Sequence, residues 1–220
     1  SRMFSSAAIT AGTSLALALV TGAHAQSWPA RTVRVVVPFS PGGGTDIQAR
    51  LLGKHLFETL GQNFVVDNRV GATGLIGAEA VARAAPDGHT LLLTTASLAI
   101  NATLYAGRLK FDPRRDLAPA IMVSSAPLVL VTHPSVPVRS VKELIALSKR
   151  TRNGIELGST GAGTTSHLSL EALKQSSGIA GVHVPYKGGG PVATALVSGE
   201  VDAAFVGSFS VLPHIRSEEH

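Results

Sequence analysis

The feature that most constrains the fold is a buried strand that runs straight into a glycine-rich turn and then into a helix. The apolar run Val33–Val37 is followed by Pro38–Asp46 (PFSPGGGTD), and a helical pattern of apolar residues continues from there. Glycines let a ligand approach the backbone, and the first turn of a helix carries unpaired N–H groups and partial positive charge. The turn lacks the lysine of a P-loop, so it suits a carboxylate, a phosphate or a polar small molecule held by the main chain.

Apolar β-branched runs alternate along the chain with segments of helical periodicity. This alternation predicts an α/β fold with parallel-rich sheets flanked by helices. Asp46 is placed to cap the first helix, Gly61 to end it, and Pro191 to stand at the first position of the last helix. The predicted strands are 33–37, 63–67, 90–94, 120–123, 128–132, 155–157, 182–184 and 201–206. The predicted helices are 46–60, 74–84, 140–149, 165–176 and 191–197.

The composition limits the classes of function. The chain has 220 residues, a formal net charge of +5, 5% aromatic residues and no cysteine. The basic residues are scattered apart from Lys149–Arg152, so we expect no nucleic-acid partner. Without cysteine there is neither a disulfide framework nor a thiolate metal site, and the histidines show no metal-binding spacing. We therefore predict no metal and no cofactor.

Residues 1–25 have the pattern of a secretory signal peptide. A stretch of small and apolar residues follows Arg2, and Ala23–Ala25 (AHA) gives an A-x-A cleavage pattern before Gln26. Polar residues and glycine interrupt the stretch, whereas a membrane anchor needs roughly 20 continuous apolar residues. We expect this segment to be removed and the mature protein to be exported.

A second glycine-rich turn, Gly158–His167 (GSTGAGTTSH), follows the predicted strand at 155–157. It matches a dinucleotide fingerprint only in part, and its glycines and hydroxyls could equally serve a tight turn and a helix cap. A composition change near Ser124–Pro127 suggests domains at 26–125 and 126–220. Because ligands bind at the carboxyl ends of parallel strands, the two turns would face each other across a cleft and hold an anion between two helix N-termini.

Several alternatives stay open at this point. An exported α/β enzyme acting on a small carboxylic acid could use His167 or Asp46 as its acid or base, although His167 also suits a helix-start residue that hydrogen-bonds the turn. A nucleotide-binding module is a further alternative. Asp202 could be a binding or hinge residue or part of a strand-entry turn, and Tyr186–Pro191 could be a simple loop or a third polar edge of the cleft.

In their order along the chain, these motifs resemble the signatures of the extracytoplasmic solute receptors of tripartite tricarboxylate transporters, the Bug or TctC family. The resemblance spans residues 28 to about 216. Ordered motifs over such a span are more specific than any single glycine turn. The motifs that carry it are Pro38–Asp46, Asn68–Gly74, Asp87–Thr90, Gly158–His167, Val184–Pro191 and Gly199–Asp202.

The resemblance implies a two-domain, periplasmic-binding-protein-like fold. It also implies a periplasmic receptor, expected to be a monomer, that closes on a small carboxylate without transforming it and delivers it to the membrane subunits of a tripartite transporter. In this family main-chain amides and hydroxyls hold the ligand. Carried over to this sequence, the ligand-binding residues are Phe39, Ser40, Gly42, Gly43, Asp46, Ser97, Asn101, Ser159, Thr160, Gly161, Gly163, Thr164 and His167, together with Asp202 and Phe205.

Family members continue beyond the point that corresponds to the last residue here and return to the first domain. The resemblance therefore implies a C-terminally truncated chain with an incomplete second domain. Such a chain would expose apolar surface and open sheet edges, so its stability and binding would be weakened.

Overall fold

The computed structural model describes residues 27–216, which form seven strands in two sheets and seven α-helices. Residues 1–25, where the signal peptide is predicted, lie outside the described residues. The strands are β1 (Val33–Val37), β2 (Phe64–Asn68), β3 (Thr90–Leu92), β4 (Leu128–Thr132), β5 (Ile155–Ser159), β6 (Gly181–Pro185) and β7 (Ala203–Gly207). The helices are α1 (Gly44–Leu60), α2 (Leu75–Ala82), α3 (Ser97–Leu104), α4 (Val141–Arg150), α5 (Thr165–Ser177), α6 (Gly189–Ser198) and α7 (Ser208–Arg216).

The first sheet is parallel, in the order β2-β1-β3. Its central strand is β1, where Val35 lies opposite Val66 on one side and Leu91 on the other. Val33, Val36 and Val37 are fully buried, as expected for a continuous apolar run covered on both faces. We call this sheet with helices α1–α3 the first lobe.

The second sheet has the order β4-β7-β5-β6. Strand β5 pairs in parallel with β6 and β7, while β4 runs antiparallel to β7. The core packs on both faces, with Val201, Val206 and Leu196 on one side and Leu157, Leu144 and Leu170 on the other. We call this sheet with helices α4–α7 the second lobe. The prediction of parallel-rich α/β sheets is confirmed.

One sequence prediction of secondary structure is wrong, and two helices were missed. Residues 120–123 form no strand, and Ile121 and Met122 are 81% and 80% exposed in an extended segment without a strand partner. Helix α3 was not predicted because its serine, asparagine and threonine have low helix propensity. Helix α7 was not predicted because it contains Pro213, which removes a backbone donor inside the helix.

The helix starts also differ from the predictions. Helix α1 begins at Gly44 after the extended residue Gly43, so Asp46 lies in its first turn and is not the cap. Pro191 is the third residue of α6 because two glycines precede it in the helix. Gly61 does end α1, in the left-handed conformation that glycine adopts most readily. Within residues 27–216, no helix is long and apolar enough to span a membrane.

Candidate functional site

The two glycine-rich turns lie at the carboxyl ends of the central strand of each lobe. We call Pro38–Asp46, after β1, loop one, and Gly158–His167, at the end of β5, loop two. Both turns lead into a helix, α1 and α5 respectively. The loops of one lobe contact the loops of the other, so the carboxyl ends of β1 and β6 lie near each other.

Loop one meets the start of helix α6 rather than loop two. The Ser40 N–H donates to the carbonyl oxygen of Lys187 over 3.0 Å. A Cβ added to Gly43 would lie 3.3 Å from the backbone nitrogens of Gly189 and Gly190. Loop one therefore packs directly against the glycine turn before α6, and it shares the lining of one cavity with Thr160 and Thr165 of loop two.

Asp46 organises loop one from within. Its carboxylate is 3% exposed and accepts hydrogen bonds from the Gly42 N–H, the Arg50 guanidinium and the Asn68 side-chain amide, each about 3.0 Å long. Burial alone would raise the pKa of Asp46, but the hydrogen bonds from Arg50, Gly42 and Asn68 outweigh it and lower that pKa. The Asp46 carboxylate is thus committed to the loop.

Loop two is held by its own hydroxyl groups. Thr164 Oγ1 accepts from the His167 N–H over 3.3 Å and donates to the Gly161 carbonyl oxygen over 2.6 Å, so Thr164 caps helix α5. Ser159 Oγ accepts from the Gly161 N–H over 3.1 Å. Ser166 Oγ accepts from the Thr160 N–H over 3.2 Å. Much of the hydrogen-bonding capacity of this turn is therefore already used.

Two histidine rings stack at the end of loop two, one from the loop itself and one from β6. The rings of His167 and His183 are 4.1 Å apart between centroids and 12° from parallel. His167 Nδ1 accepts from the Gly163 N–H over 3.1 Å, as the turn-bonding alternative predicts, and His183 Nε2 lies 2.6 Å from Ser159 Oγ. Burial, followed by the positive charge of a protonated His167, lowers the pKa of His183.

Loop two faces helix α3 of the first lobe. Asn101 on this helix is fully buried and donates through Nδ2 to the Thr73 carbonyl oxygen over 3.0 Å. Its Oδ1 atom has no hydrogen-bond partner in the described part of the chain, and a Cβ added to Gly163 would lie 2.6 Å from it. Ala72 and Thr73 adopt positive φ angles of 43° and 55°, which side-chain-bearing residues rarely do.

A large cavity of about 1480 Å³ begins between the lobes and continues as a groove along the first lobe. Four of the predicted ligand-binding residues line it, namely Phe39, Gly43, Ser97 and Thr160. The other predicted residues are not among those that line it: Ser40, Gly42, Asp46, Asn101, Ser159, Gly161, Gly163, Thr164, His167, Asp202 and Phe205.

Two of these residues, Asp202 and Phe205, belong to the last strand of the second sheet or directly precede it. Asp202 stands before β7, at the edge of the sheet opposite loop two, and its carboxylate accepts from the Glu156 N–H over 2.8 Å. This geometry matches the strand-entry alternative and not a ligand contact. Phe205 lies within β7 and packs against the apolar core.

The sequence prediction missed several residues at the interlobe end of the cavity. Thr45 and Thr165 directly adjoin predicted positions, and Gly188 and Gly189 belong to the turn already noted as a third edge. Phe209 and Ser210 follow the carboxyl end of β7, a position that the strand-end rule for ligand sites could have indicated. The missed residues are Gly44, Thr45, Thr95, Thr165, Gly188, Gly189, Phe209 and Ser210.

Comparison with known proteins gives consistent results. A family model described as the tripartite tricarboxylate transporter family receptor matches residues 48–220. Protein BugT of Bordetella pertussis is 41% identical over 195 residues, covering 88% of this chain and 60% of BugT. The chain thus spans about 60% of the length of the curated relatives it matches.

Solved structures extend the similarity to the fold. The R. palustris protein Rpa4515 with adipate superposes with a TM-score of 0.82 at 36% identity, over 87% of this chain and 64% of that one. MatC from Rhodopseudomonas palustris with bound malate gives a TM-score of 0.80 at 32% identity, over 87% of this chain and 65% of that one. The predicted fold class is confirmed, and this chain belongs to the tripartite tricarboxylate transporter receptor family, TctC.

Proposed function

We propose that this chain is the binding part of a periplasmic receptor that captures a small carboxylate between two lobes. The observation that carries the proposal is the cavity between the lobes, which is lined at that end by helix-start glycines and hydroxyl groups from both sides. Delivery of the ligand to the membrane subunits of a tripartite transporter is part of the proposal, as is action as a monomer. The proposal also includes removal of residues 1–25 and a division of the remaining chain into domains at 26–125 and 126–220.

The donors at this end of the cavity suit an anion. Within residues 27–216, the N–H groups of the lining residues Gly43, Thr45 and Gly189, and of Gly190 next to them, have no intramolecular acceptor. Each helix N-terminus favours a negative charge by about 0.3–1 kcal/mol, and a charge-assisted hydrogen bond contributes about 1.5–3 kcal/mol. Four such bonds give roughly 6–12 kcal/mol before the costs of association, and micromolar affinity needs about 8 kcal/mol net.

The side chains lining the interlobe end add hydroxyl groups and apolar walls. Thr160 Oγ1 donates to Thr164 Oγ1 over 3.1 Å and Thr95 Oγ1 donates to Ser97 Oγ over 3.0 Å, so among these hydroxyls, within residues 27–216, the Ser97 proton is the uncommitted donor. Thr95, Ser97 and Thr160 supply hydroxyls, while Phe39 and Phe209 are apolar. The lining residues described here include arginine only in the outer groove, at 114–115, so an arginine clamp is absent from the interlobe end. The relatives solved with adipate and with malate make small dicarboxylates the first ligands to test.

The geometry gives the enzymatic alternative little support. Ser159 and His183 form a close pair, but Ser159 is fully buried and its hydroxyl already accepts the Gly161 N–H. The two groups considered as acid or base are engaged as well. His167 Nδ1 accepts the Gly163 N–H, and the Asp46 carboxylate is bound by three donors. No free acid or base among these residues faces the cavity.

The test is a thermal-shift titration of the 220-residue chain with adipate, malate and their neutral diamides. We expect the acids to raise the melting temperature and the diamides to have little effect, with mass analysis showing the acids unchanged. Thr160→Val, at the cavity, should reduce the shift, whereas Thr59→Val, on the exposed face of α1, should not. Equal shifts for acids and diamides, or conversion of an acid, would contradict the proposal.

A further inference from the structure

Helix α1 of the first lobe lacks a side-chain cap from its own loop. Its N-cap residue is Gly43, which has no side chain, and no side-chain hydrogen bond closes the cap. The first N–H groups of a helix have no partner within the helix, so one of them, on Gly44, needs an oxygen from elsewhere. In the native lobe-to-lobe arrangement it finds one.

The oxygen comes from the second lobe. Ser210, in the first turn of α7, is 7% exposed, and its Oγ accepts from the Gly44 N–H over 3.0 Å. Ser210 also lies against Gly189, where an added Cβ would stand 2.3 Å from the same Oγ. The hydroxyl therefore sits in a close-fitting position where α1, α6 and α7 meet.

Two of the hydrogen bonds formed within residues 27–216 cross between the lobes at loop one. One joins backbone groups, from the Ser40 N–H to the Lys187 carbonyl oxygen, and the other joins Gly44 to Ser210. Because both partners of each bond belong to different lobes, both bonds are lost when the lobes separate. Only the second depends on a side chain.

We propose that Ser210 is a positioning residue for lobe closure, which caps helix α1 across the cleft and biases the chain toward the closed state. This inference rests on the proposed closure of two lobes around a ligand. A ligand that binds the closed state must otherwise drive closure itself, and its apparent affinity falls in proportion to the closed fraction. Ser210 raises that fraction before any ligand arrives.

The bond acts only on the closed state. In the open state water hydrates both the Gly44 N–H and the Ser210 hydroxyl, so removing the hydroxyl leaves that state nearly unchanged. Loss of an N-cap oxygen changes stability by an amount that corresponds to a roughly 3- to 30-fold change in an equilibrium constant. Ser210→Ala should lower the ratio of closed to open molecules by that factor.

The test uses single-molecule energy transfer in the 220-residue chain without ligand. The chain contains no cysteine, so Lys54→Cys in α1 and Lys142→Cys in α4, both at exposed positions of different lobes, provide two unique labelling sites. Ser148→Ala is the matched control. Ser148 is also a buried serine whose Oγ accepts a backbone N–H, that of Ala180 over 3.1 Å, but it does so within one lobe.

We expect Ser210→Ala to shift the population toward low transfer efficiency by about 3- to 30-fold in the closed-to-open ratio, and Ser148→Ala to leave this ratio unchanged while lowering the melting temperature. An unchanged ratio in Ser210→Ala, or an equal shift in both variants, would overturn the inference. The two proposals fail separately. If the ratio shifts in Ser210→Ala but no acid binds the chain, the receptor proposal fails and the role of Ser210 stands. If the acids bind but the ratio is unchanged in Ser210→Ala, the role of Ser210 fails and the receptor proposal stands.

Discussion

Loops one and two look alike in sequence, since each follows a buried strand, contains three glycines and opens a helix. Their hydrogen bonding is different. In loop two, hydroxyls and a histidine of the same turn accept the N–H groups of Gly161, Gly163 and His167. In loop one, the N–H groups of Ser40 and Gly44 reach acceptors in the other lobe. Loop two is thus closed on itself, and loop one is open to partners.

The difference follows from the residues between and around the glycines. Loop two carries five threonines and serines, and three of them, Ser159, Thr164 and Ser166, accept backbone N–H groups of the same turn, as such residues do in turns and caps. Loop one has few hydroxyls, and its one carboxylate turns inward to Arg50 and Asn68. A glycine turn that is rich in hydroxyls therefore stiffens a scaffold, while one poor in them leaves main-chain donors for a partner or ligand.

The largest expected effects come from removing the internal support of each loop. Asp46→Ala leaves the Gly42 N–H, Arg50 and Asn68 without their acceptor, so we expect the free energy of unfolding to fall by about 2–4 kcal/mol and carboxylate binding to weaken. Thr164→Val removes the α5 cap and should cost about 1–2 kcal/mol with binding unchanged. Urea unfolding and ligand titration measure both. Equal loss of binding in the two variants would remove the distinction between the loops.

A second pair of variants adds a methyl group to one glycine that packs against loop one, Gly190, and to one glycine within loop two, Gly163. In Gly190→Ala, the new Cβ would lie 2.8 Å from the Pro41 carbonyl oxygen of the other lobe, so closure should be blocked and the ligand dissociation constant should rise about tenfold, a change of about 1.4 kcal/mol. Gly190 is helical and alanine favours helices, so the melting temperature should not fall.

In Gly163→Ala, alanine is forced to a φ of +75°, which should lower the free energy of unfolding by about 1–2 kcal/mol. Its Cβ would also lie 2.6 Å from Asn101 Oδ1 of the first lobe, so this variant should weaken ligand binding as well, and only the loss of stability distinguishes it from Gly190→Ala. Thermal melts and isothermal titration separate the two effects. Normal binding by Gly190→Ala would show that loop one need not contact α6 for capture.

The smallest expected effect is a difference in pH dependence. The pKa of His183 is lowered in the folded chain, so its contribution to stability is present above pH 6.5 and is lost as the pH falls through the folded-state pKa. The pKa of Asp46 is also lowered, but from 3.8, so the contribution of loop one is lost only below that value. The Gly161 N–H donates to Ser159 Oγ, which lies beside His183, so the backbone amide signal of Gly161 should change on mild acidification before that of Gly42.

The control for the pH experiment is His183→Gln, which removes the titrating ring beneath loop two while keeping a polar side chain. We expect this variant to lose the change between pH 7 and pH 5 in the Gly161 signal. Simultaneous change of both loops, or persistence of the change in His183→Gln, would contradict the assignment of the effect to His183.

Local patterns determined much of the fold. The run of valines in β1 predicts a central strand, because a continuous apolar run is stable only when both faces are covered. The observed bounds of β1 and β4 are those predicted. The left-handed Gly61 ends α1 as predicted. The same reasoning fails for 120–123, since an apolar run becomes a strand only if a neighbouring strand pairs with it.

The composition of the site was decided by the tertiary structure. The sequence by itself determined that a glycine turn follows each of these strands and begins a helix. This was predictable because the conformational preferences of glycine and of an apolar run are local and span only a few residues. Which turns meet was decided by sheet order, which brings the start of α6 to Gly43 and Asn101 to Gly163. The partner of the Gly44 N–H lies 166 positions away at Ser210, and no local propensity reports a hydrogen bond made only when the two sheets pack together.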